Sequence, residues 1–198
     1  MHVNSHFAVG MIFASILNYF YNFSIFEFML IVIFSFICDF DVFLSKYAKN
    51  GNHRMLISHS VLPSILIIIV GIIFSFQVLV FGGIAYAIHI IIDSLDWGTN
   101  FFYFNKKPIG PKLLISKEEL RNLDSYLSKY KVKASFFDEK YYKNKICLII
   151  ELLLFILMII FVIIFALQYV FFIIIYFLGL YFHLSRHFYL KKVERGLK

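Results

Sequence analysis

Two long apolar runs constrain the fold of this chain more than any other feature of its sequence. Residues 62–83 and 146–168 each reach the length of about 20 mostly apolar residues that crosses a bilayer as a helix. Of the 198 residues, 61% are hydrophobic and 26 are phenylalanine, a composition that excludes an ordinary soluble globule. Backbone polar groups inside a bilayer must be hydrogen-bonded within the protein, so these runs predict an all-α, polytopic membrane protein.

Six apolar segments follow one another, and they predict a bundle of about six transmembrane or membrane-embedded helices, with four as the lower limit. Their approximate bounds are 7–21, 25–38, 60–81, 84–97, 146–167 and 169–189. Turns are expected at residues 21–24, at Gly82 with Gly83, and at Gln168. The prediction divides the chain into a four-helix core (1–97), a basic segment (98–145), and a transmembrane hairpin with a basic tail (146–198).

The positive charges predict the orientation of the bundle. If six helices alternate in direction, all 19 lysine and arginine residues fall on one side, and none falls in the three turns on the other. By the positive-inside rule that side is cytoplasmic, and both termini and the basic segment 98–145 are expected there.

His89 and Asp93 stand four residues apart in a strongly apolar segment. Side chains at this spacing share one helix face, so both can reach one divalent ion at about 2.0–2.2 Å. An aspartate near the centre of a membrane helix is disfavoured by roughly 2.5–3.5 kcal/mol, so such a residue usually has a partner and a task. The pair therefore predicts a membrane-embedded metal site.

Other polar residues are expected at the same depth, because each lies at the cytoplasmic end of its predicted helix. The predicted metal ligands are His6, Asp39, Asp41, His59, His89 and Asp93. Histidine with aspartate suits zinc, manganese or iron, and magnesium if carboxylates dominate. The number of ligands makes a two-metal site plausible, and two metals are suited to phosphoester hydrolysis. Arg54 is expected to hold a phosphate oxygen, and His53 to be a ligand or an acid–base group.

The order of these residues resembles that of a known family. The motifs are His6-Phe7-Ala8-Val9-Gly10, Asp39-Phe40-Asp41, His53-Arg54 with Ser58-His59-Ser60, and His89-x3-Asp93 followed by Gly98. Over about residues 2 to 115 the chain resembles the membrane-bound metal-dependent hydrolases, also described as LexA-binding, inner-membrane-associated hydrolases. The motif order is also similar to that of the zinc-dependent phospholipase C and single-strand nuclease superfamily. The resemblance implies a helical fold, a zinc cluster and hydrolase activity.

Each of these residues also has a simpler interpretation. His89 and Asp93 could pair with each other or with Ser94 to lock helix packing. His59 could cap a helix, His6 could be interfacial, and the two aspartates Asp39 and Asp41 could face water. Asp96 is expected to cap or turn the chain before Gly98. A second pair, His183 and His187, could bind a metal or could suit the lipid interface.

The basic segment predicts an interfacial element. Ser116 and Glu119 fit a capping box that opens an amphipathic helix running to about Lys131. Such an element would lie on the cytoplasmic leaflet and contact anionic phospholipid, although a solvated basic loop accounts for it as well. Nucleic acid is a less favoured partner, because the aromatic residues needed for stacking are concentrated beside the membrane.

The favoured function is metal-dependent hydrolysis of a phosphoester in a lipid or lipid-linked substrate at the cytoplasmic face. The alternatives are a divalent-ion transporter and a non-catalytic membrane scaffold. A transporter would need polar residues on both sides of the membrane, and the opposite side has almost none.

Overall fold

A computed structural model describes residues 2–48, 52–104 and 108–196. Its helices are α1 (Val3–Tyr21), α2 (Ile25–Phe34), α3 (Val61–Ile73), α4 (Gln77–Asp96), α5 (Lys117–Arg121), α6 (Leu123–Leu127), α7 (Lys133–Lys143), α8 (Lys145–Phe165) and α9 (Ile173–Glu194). Short 3-10 helices cover Ile37–Tyr47, His53–Met55, Ile57–His59 and Leu167–Phe172. Within the described ranges, the β structure consists of one isolated bridge between Thr99 and Ile109. The prediction of an all-helical fold is confirmed.

Four of the described helices are long and apolar enough to cross a membrane. They are α1, α4, α8, and the 28-residue stretch Leu167–Glu194 that ends in α9. Helix α2 and the following segment Ile37–Tyr47 form a fifth candidate, bent by 40° at the break between them. Of the third predicted segment, 60–81, residues 77–81 belong to α4, and α3 itself has only 13 residues, about 20 Å, which is shorter than the apolar thickness of about 30 Å. Four or five spans are therefore consistent with a membrane protein, and the sixth span, the side of the membrane and the domain boundaries remain predictions.

The predicted turn at Gly82 and Gly83 is wrong. Both glycines lie inside α4, and the chain turns between α3 and α4 at residues 74–76, where Ser75 has a positive φ of 52°. The glycines instead allow close packing of helices. A Cβ atom on Gly83 would lie 2.6 Å from Ile68 Cγ1 and 2.9 Å from the Ser64 carbonyl of α3. The pair therefore serves helix–helix contact, as small residues commonly do in membrane helices.

Helix α1 lies at the centre of the main core. Of the 18 most apolar consecutive residues of α1, 56% are buried, whereas only 11% are buried in the corresponding stretch of α8. Phe7, Ala8 and Met11 of α1 pack with residues of α2 and with Met158 and Val162 of α8. The exposed apolar side chains of α8 and α9 point away from this core, where lipid is their expected environment.

The segment between α4 and α8 differs in part from its prediction. The capping box is confirmed, because Ser116 Oγ accepts from Glu119 N at 3.1 Å and Glu119 accepts from Ser116 N at 2.9 Å. The single helix predicted up to Lys131 breaks at Asn122 into α5 and α6. Helix α7 was not predicted. The Glu194 carboxylate, at the end of α9, accepts from the backbone N–H groups of Lys131 and Val132, the two residues immediately before α7.

The close contact between α3 and α4 can be tested at Gly83. We expect Gly83→Ala to lower the free energy of unfolding by about 1–3 kcal/mol, because its Cβ atom would meet the Ser64 backbone. Gly179→Ala is the control, since its Cβ atom would have its nearest described neighbour at 3.5 Å. Thermal unfolding in detergent measures both. Equal stability of the two variants would contradict the packing described here.

Candidate metal centre

The bend after α2 brings two carboxylates beside α4. Ser35 follows the last residue of α2, and its hydroxyl donates to the carbonyls of Val32, at 2.7 Å, and of His6, at 3.0 Å. Gly10 makes this approach of α1 and α2 possible, because a Cβ atom there would lie only 2.1 Å from Ser35 Oγ. The 3-10 segment Ile37–Tyr47 then carries Asp39 and Asp41 towards His89 and the other polar residues of the core.

Two imidazole nitrogens and two carboxylate oxygens form the centre of the cluster. Nε2 of His59 lies 3.7 Å from Asp39 Oδ1 and 3.4 Å from Asp93 Oδ2. Nε2 of His89 lies 3.6 Å from each of the same two oxygens. These separations are too long for good hydrogen bonds. Two ligands of one tetrahedral ion, each at about 2.0–2.2 Å, are about 3.3–3.6 Å apart, so each of these four imidazole–carboxylate separations is close to that of two ligands on one ion.

The other nitrogen of each imidazole is already hydrogen-bonded. Nδ1 of His89 lies 2.8 Å from the Ser35 carbonyl, which can only accept, so the proton of a neutral His89 is on Nδ1. Nδ1 of His59 lies 2.7 Å from Asp41 Oδ2 and donates to that carboxylate. When the imidazoles are neutral, both hydrogen bonds leave the Nε2 lone pair directed at the centre of the cluster. A carboxylate or carbonyl behind a histidine in this way is usual at metal sites.

Buried atoms without partners support the same interpretation. Within the described residues, Nε2 of His59, Nε2 of His89 and Oδ2 of Asp39 are buried and have no hydrogen-bond partner. Such atoms are rare in folded proteins, and an ion is one of the groups that satisfies them. The donor set, two imidazoles and two carboxylates without a thiolate, fits zinc, manganese or iron. The residues that are present therefore fit a divalent ion.

Electrostatics at His59 favour a positive charge at this point. Burial alone lowers the pKa of His59, but the neighbouring carboxylates of Asp39, Asp41 and Asp93 outweigh it and raise the pKa to about 10. The carboxylates therefore stabilise a cationic imidazole. A divalent ion bound to Nε2 would supply positive charge at the same position in place of the proton.

Asp41 holds two histidines in place. One oxygen accepts from His59 Nδ1 and from the Ser58 hydroxyl, and the other lies 2.8 Å from His53 Nδ1. Tyr86 donates to the Ser58 carbonyl and completes this network. The side chain of His53 is 25% exposed, whereas that of His59 is fully buried. His53 is therefore the histidine of this network that solvent can reach.

Arg54 is bound to carboxylates on α4. Its guanidinium donates to Asp96 Oδ1 at 2.6 Å, to the Asp93 carbonyl at 3.1 Å, and pairs with Asp93 Oδ2 at 3.1 Å. Burial alone would lower the pKa of Arg54, but Asp93 and Asp96 raise it above its ordinary value. The guanidinium thus holds Asp93 in position, and its binding to a phosphate oxygen remains a prediction. Asp96, which was expected only to cap or turn the chain, accepts from Arg54 and from the Trp97 N–H.

His6 supports the centre from α1. Its Nε2 lies 3.0 Å from Asp93 Oδ1, and its ring stacks on that of His89 with centroids 3.7 Å apart. It is 1% exposed, so its side chain is buried within the protein. His6 also belongs to a group with Asp39, His89 and Asp93 whose candidate ligand atoms all lie within 4.8 Å of one another.

The structure brings all eight predicted site residues into one cluster, and the simpler interpretations of several do not match it. Ser60 Oγ, not His59, accepts from Leu62 N at the start of α3. Ser94 donates to the Ile91 carbonyl, so it pairs with neither His89 nor Asp93 through that proton. Which of the eight bind an ion remains a prediction.

One residue near the cluster was not predicted as part of it, and two histidines that were considered as ligands lie outside it. Cys38 is not among the predicted ligands, yet its Sγ lies within 4.8 Å of candidate ligand atoms of His59 and His89. Its position next to Asp39 in the sequence was the available signal. The i, i+4 pair on α9 is divided between two neighbours: His187 Nδ1 lies 2.5 Å from Asp138, and the His183 ring lies 3.8 Å from that of His2.

The fold and site define a helical, membrane-type chain with a buried histidine–aspartate cluster. No protein-family model, curated protein or solved structure matches the chain.

We expect metal content to depend on the two imidazoles at the centre. Purified protein supplemented with zinc or manganese should hold bound ion by elemental mass spectrometry, and His59→Ala/His89→Ala should lose it. His187→Gln, which changes a histidine outside the cluster, is the control and should retain the ion. Thermal unfolding should show that each variant is folded, and His89→Gln replaces the double variant if that one is not. Equal metal content in wild type and variant would place the ion elsewhere.

Asp41 offers a test that distinguishes one ion from two. If Asp41 only orients His59 and His53, Asp41→Asn should weaken metal affinity by about 10–100-fold and leave the stoichiometry at saturation unchanged. If Asp41 binds a second ion, the saturating stoichiometry should fall from two to one. Competition with a chelator gives the affinity, and elemental analysis gives the count.

Proposed function

We propose that this protein is a membrane-embedded, metal-dependent hydrolase of a phosphoester in a lipid or lipid-linked substrate. The single observation that carries the proposal is the set of four imidazole–carboxylate separations of 3.4–3.7 Å that join His59 and His89 to Asp39 and Asp93, residues from three separate parts of the chain. Helix packing alone does not require that lone pairs on two imidazoles converge on two carboxylates. Such positions inside membrane proteins are expensive and usually functional. Membership of the metal-dependent hydrolase family that the motifs resemble is part of the same proposal.

In this proposal each residue of the cluster has a defined task. The ion, zinc by preference, binds to Asp39, His59, His89 and Asp93. Asp41 orients His59, Arg54 and His6 hold Asp93, and the Ser35 carbonyl orients His89. A bound divalent ion would polarise a phosphoryl oxygen and lower the pKa of water.

His53 is the proposed acid–base residue. Its Nδ1 is held by Asp41 at 2.8 Å, which leaves Nε2 to exchange a proton on the side that solvent reaches. In hydrolysis the oxygen of one water forms a new bond to phosphorus as the ester P–O bond breaks. The proton lost by the water then passes to the leaving alcohol, and His53 is placed to take it and return it.

Exposed apolar residues beside the centre support an amphiphilic substrate. The segment Ile37–Tyr47 carries Asp39 and Asp41 on its inner side, whereas Phe40, Phe43 and Tyr47 are 53%, 77% and 71% exposed. The same short element thus contacts both the polar centre and the surroundings of the bundle. A lipid phosphate could approach with its headgroup towards the centre and its chains outside. We place this face on the cytoplasmic side by the distribution of basic residues.

The proposal is tested with purified protein in nanodiscs supplied with phosphatidic acid and, separately, with the soluble ester p-nitrophenyl phosphate. Phosphate release should require zinc or manganese and should be greater with the lipid. His53→Gln should lower kcat by about 10²–10⁴ while bound metal is retained, because general acid–base catalysis contributes that much. His187→Gln is the control with unchanged activity.

Two results would favour the alternatives. A protein that binds no metal, and whose Asp93→Asn variant changes only in thermal stability, would be a scaffold in which the cluster fixes packing. Metal-dependent uptake of the ion into sealed proteoliposomes, without release of phosphate, would indicate transport.

A further inference from the structure

A surface that shares no residue with the histidine–aspartate cluster is formed where two basic stretches of the chain meet. The region 98–145 contains eleven basic and five acidic residues, and residues 186–198 contain a further five basic residues. In the structure the end of α9 packs against the start of α7: Lys131 Nζ donates to the Val193 carbonyl at 3.1 Å, and Glu194 accepts from two backbone N–H groups. Sequence-distant lysines are thereby joined in one surface.

The basic side chains of this surface are exposed, and its nearest carboxylates are engaged. The six exposed cations are Lys129, Lys131, Lys133, Lys191, Lys192 and Arg195. The Glu194 carboxylate accepts from the backbone N–H groups of Lys131 and Val132. Glu139 pairs with Lys143 and accepts from Tyr130. The outward field of the surface is therefore positive.

The surface adjoins the apolar exterior of the bundle. Helix α7 ends at Lys143 and α8 begins at Lys145, and Ile146 and Ile149 of α8 are already 63% and 56% exposed. On α9, Phe188 and Tyr189 are 63% and 64% exposed, directly before Lys191 and Lys192. Cations beside exposed aromatic and aliphatic side chains are typical of the headgroup level of a bilayer.

We infer that this surface binds the headgroups of anionic phospholipids in the leaflet into which α8 and α9 insert. Charge complementarity gives the sign of the partner, since several lysines near one anionic surface act together. The location of the surface indicates that the partner is a lipid, because Lys191 and Lys192 lie within one helical turn of the exposed apolar residues Phe188 and Tyr189. RNA would also match the charge, but the neighbouring aromatic side chains lie beside that lipid-facing surface and not in a groove that tracks a strand. The inference is independent of the proposed hydrolysis.

Lipid retention tests the inference. Purified protein is exchanged into nanodiscs of equimolar phosphatidylglycerol and phosphatidylcholine, then extracted into mild detergent, and the lipids that remain bound are quantified by mass spectrometry. Wild type should retain phosphatidylglycerol in at least about threefold excess at low salt, and the excess should vanish near 1 M salt, where charges are screened beyond about 3 Å.

A matched pair of variants isolates the charge. Lys129→Gln/Lys133→Gln/Lys192→Gln should lose the excess, whereas the corresponding triple arginine variant should keep it, because it retains the charge and the length of the side chains. Thermal unfolding should show both variants folded, and if the glutamine variant is not, Lys133→Gln/Lys192→Gln replaces it. Equal retention in the glutamine variant and wild type would overturn the inference, as would displacement of the lipid by oligouridylate at equal charge concentration.

Discussion

Burial of Asp39 and Asp93 beside two imidazoles is the constraint on which the structure depends. A carboxylate taken out of water is costly unless charge or hydrogen bonds compensate it, and here both carboxylates lie against His59 and His89. The raised pKa of His59 is one consequence, since the imidazole can hold a proton that balances them. Much of the surrounding structure keeps these groups together: the bend after α2, the ion pairs of Arg54, and the stacking of His6 on His89.

Helix α4 connects this polar centre to the apolar packing of the bundle. Its C-terminal half carries His89, Asp93 and Asp96, whereas its N-terminal half contains Gly82 and Gly83. The two glycines face Phe34 of α2 and Ile68 of α3, so α4 is held closely on two sides. Tight packing in one half of the helix thus helps to fix the positions of the candidate ligand atoms in the other half.

The residues of the site were predictable from sequence because polar groups are rare in so apolar a chain. His6, Asp39, His59 and Asp93 each stood at the end of an apolar segment, and helix direction alone placed them at one depth. The tasks of Asp41 and Arg54 depend on side-chain directions in irregular 3-10 segments, which apolar periodicity does not encode. The interpretation of Gly82 and Gly83 as a turn was wrong for a related reason. A pair of glycines is common both in turns and at close helix contacts, and only the position of the neighbouring helix distinguishes the two.

Ser35 contacts His89 through its backbone, so substitution of its side chain does not remove this contact. Its side chain tightens the contact between α1 and α2, but it is its backbone carbonyl that receives the Nδ1 proton of His89. No substitution at position 35 can delete a carbonyl, so the tautomer of His89 is insensitive to the identity of that residue as long as the main chain keeps its path. Sequence drift at position 35 should therefore be tolerated according to side-chain volume beside Gly10, and a comparison of side-chain types alone would overlook this contact with the site.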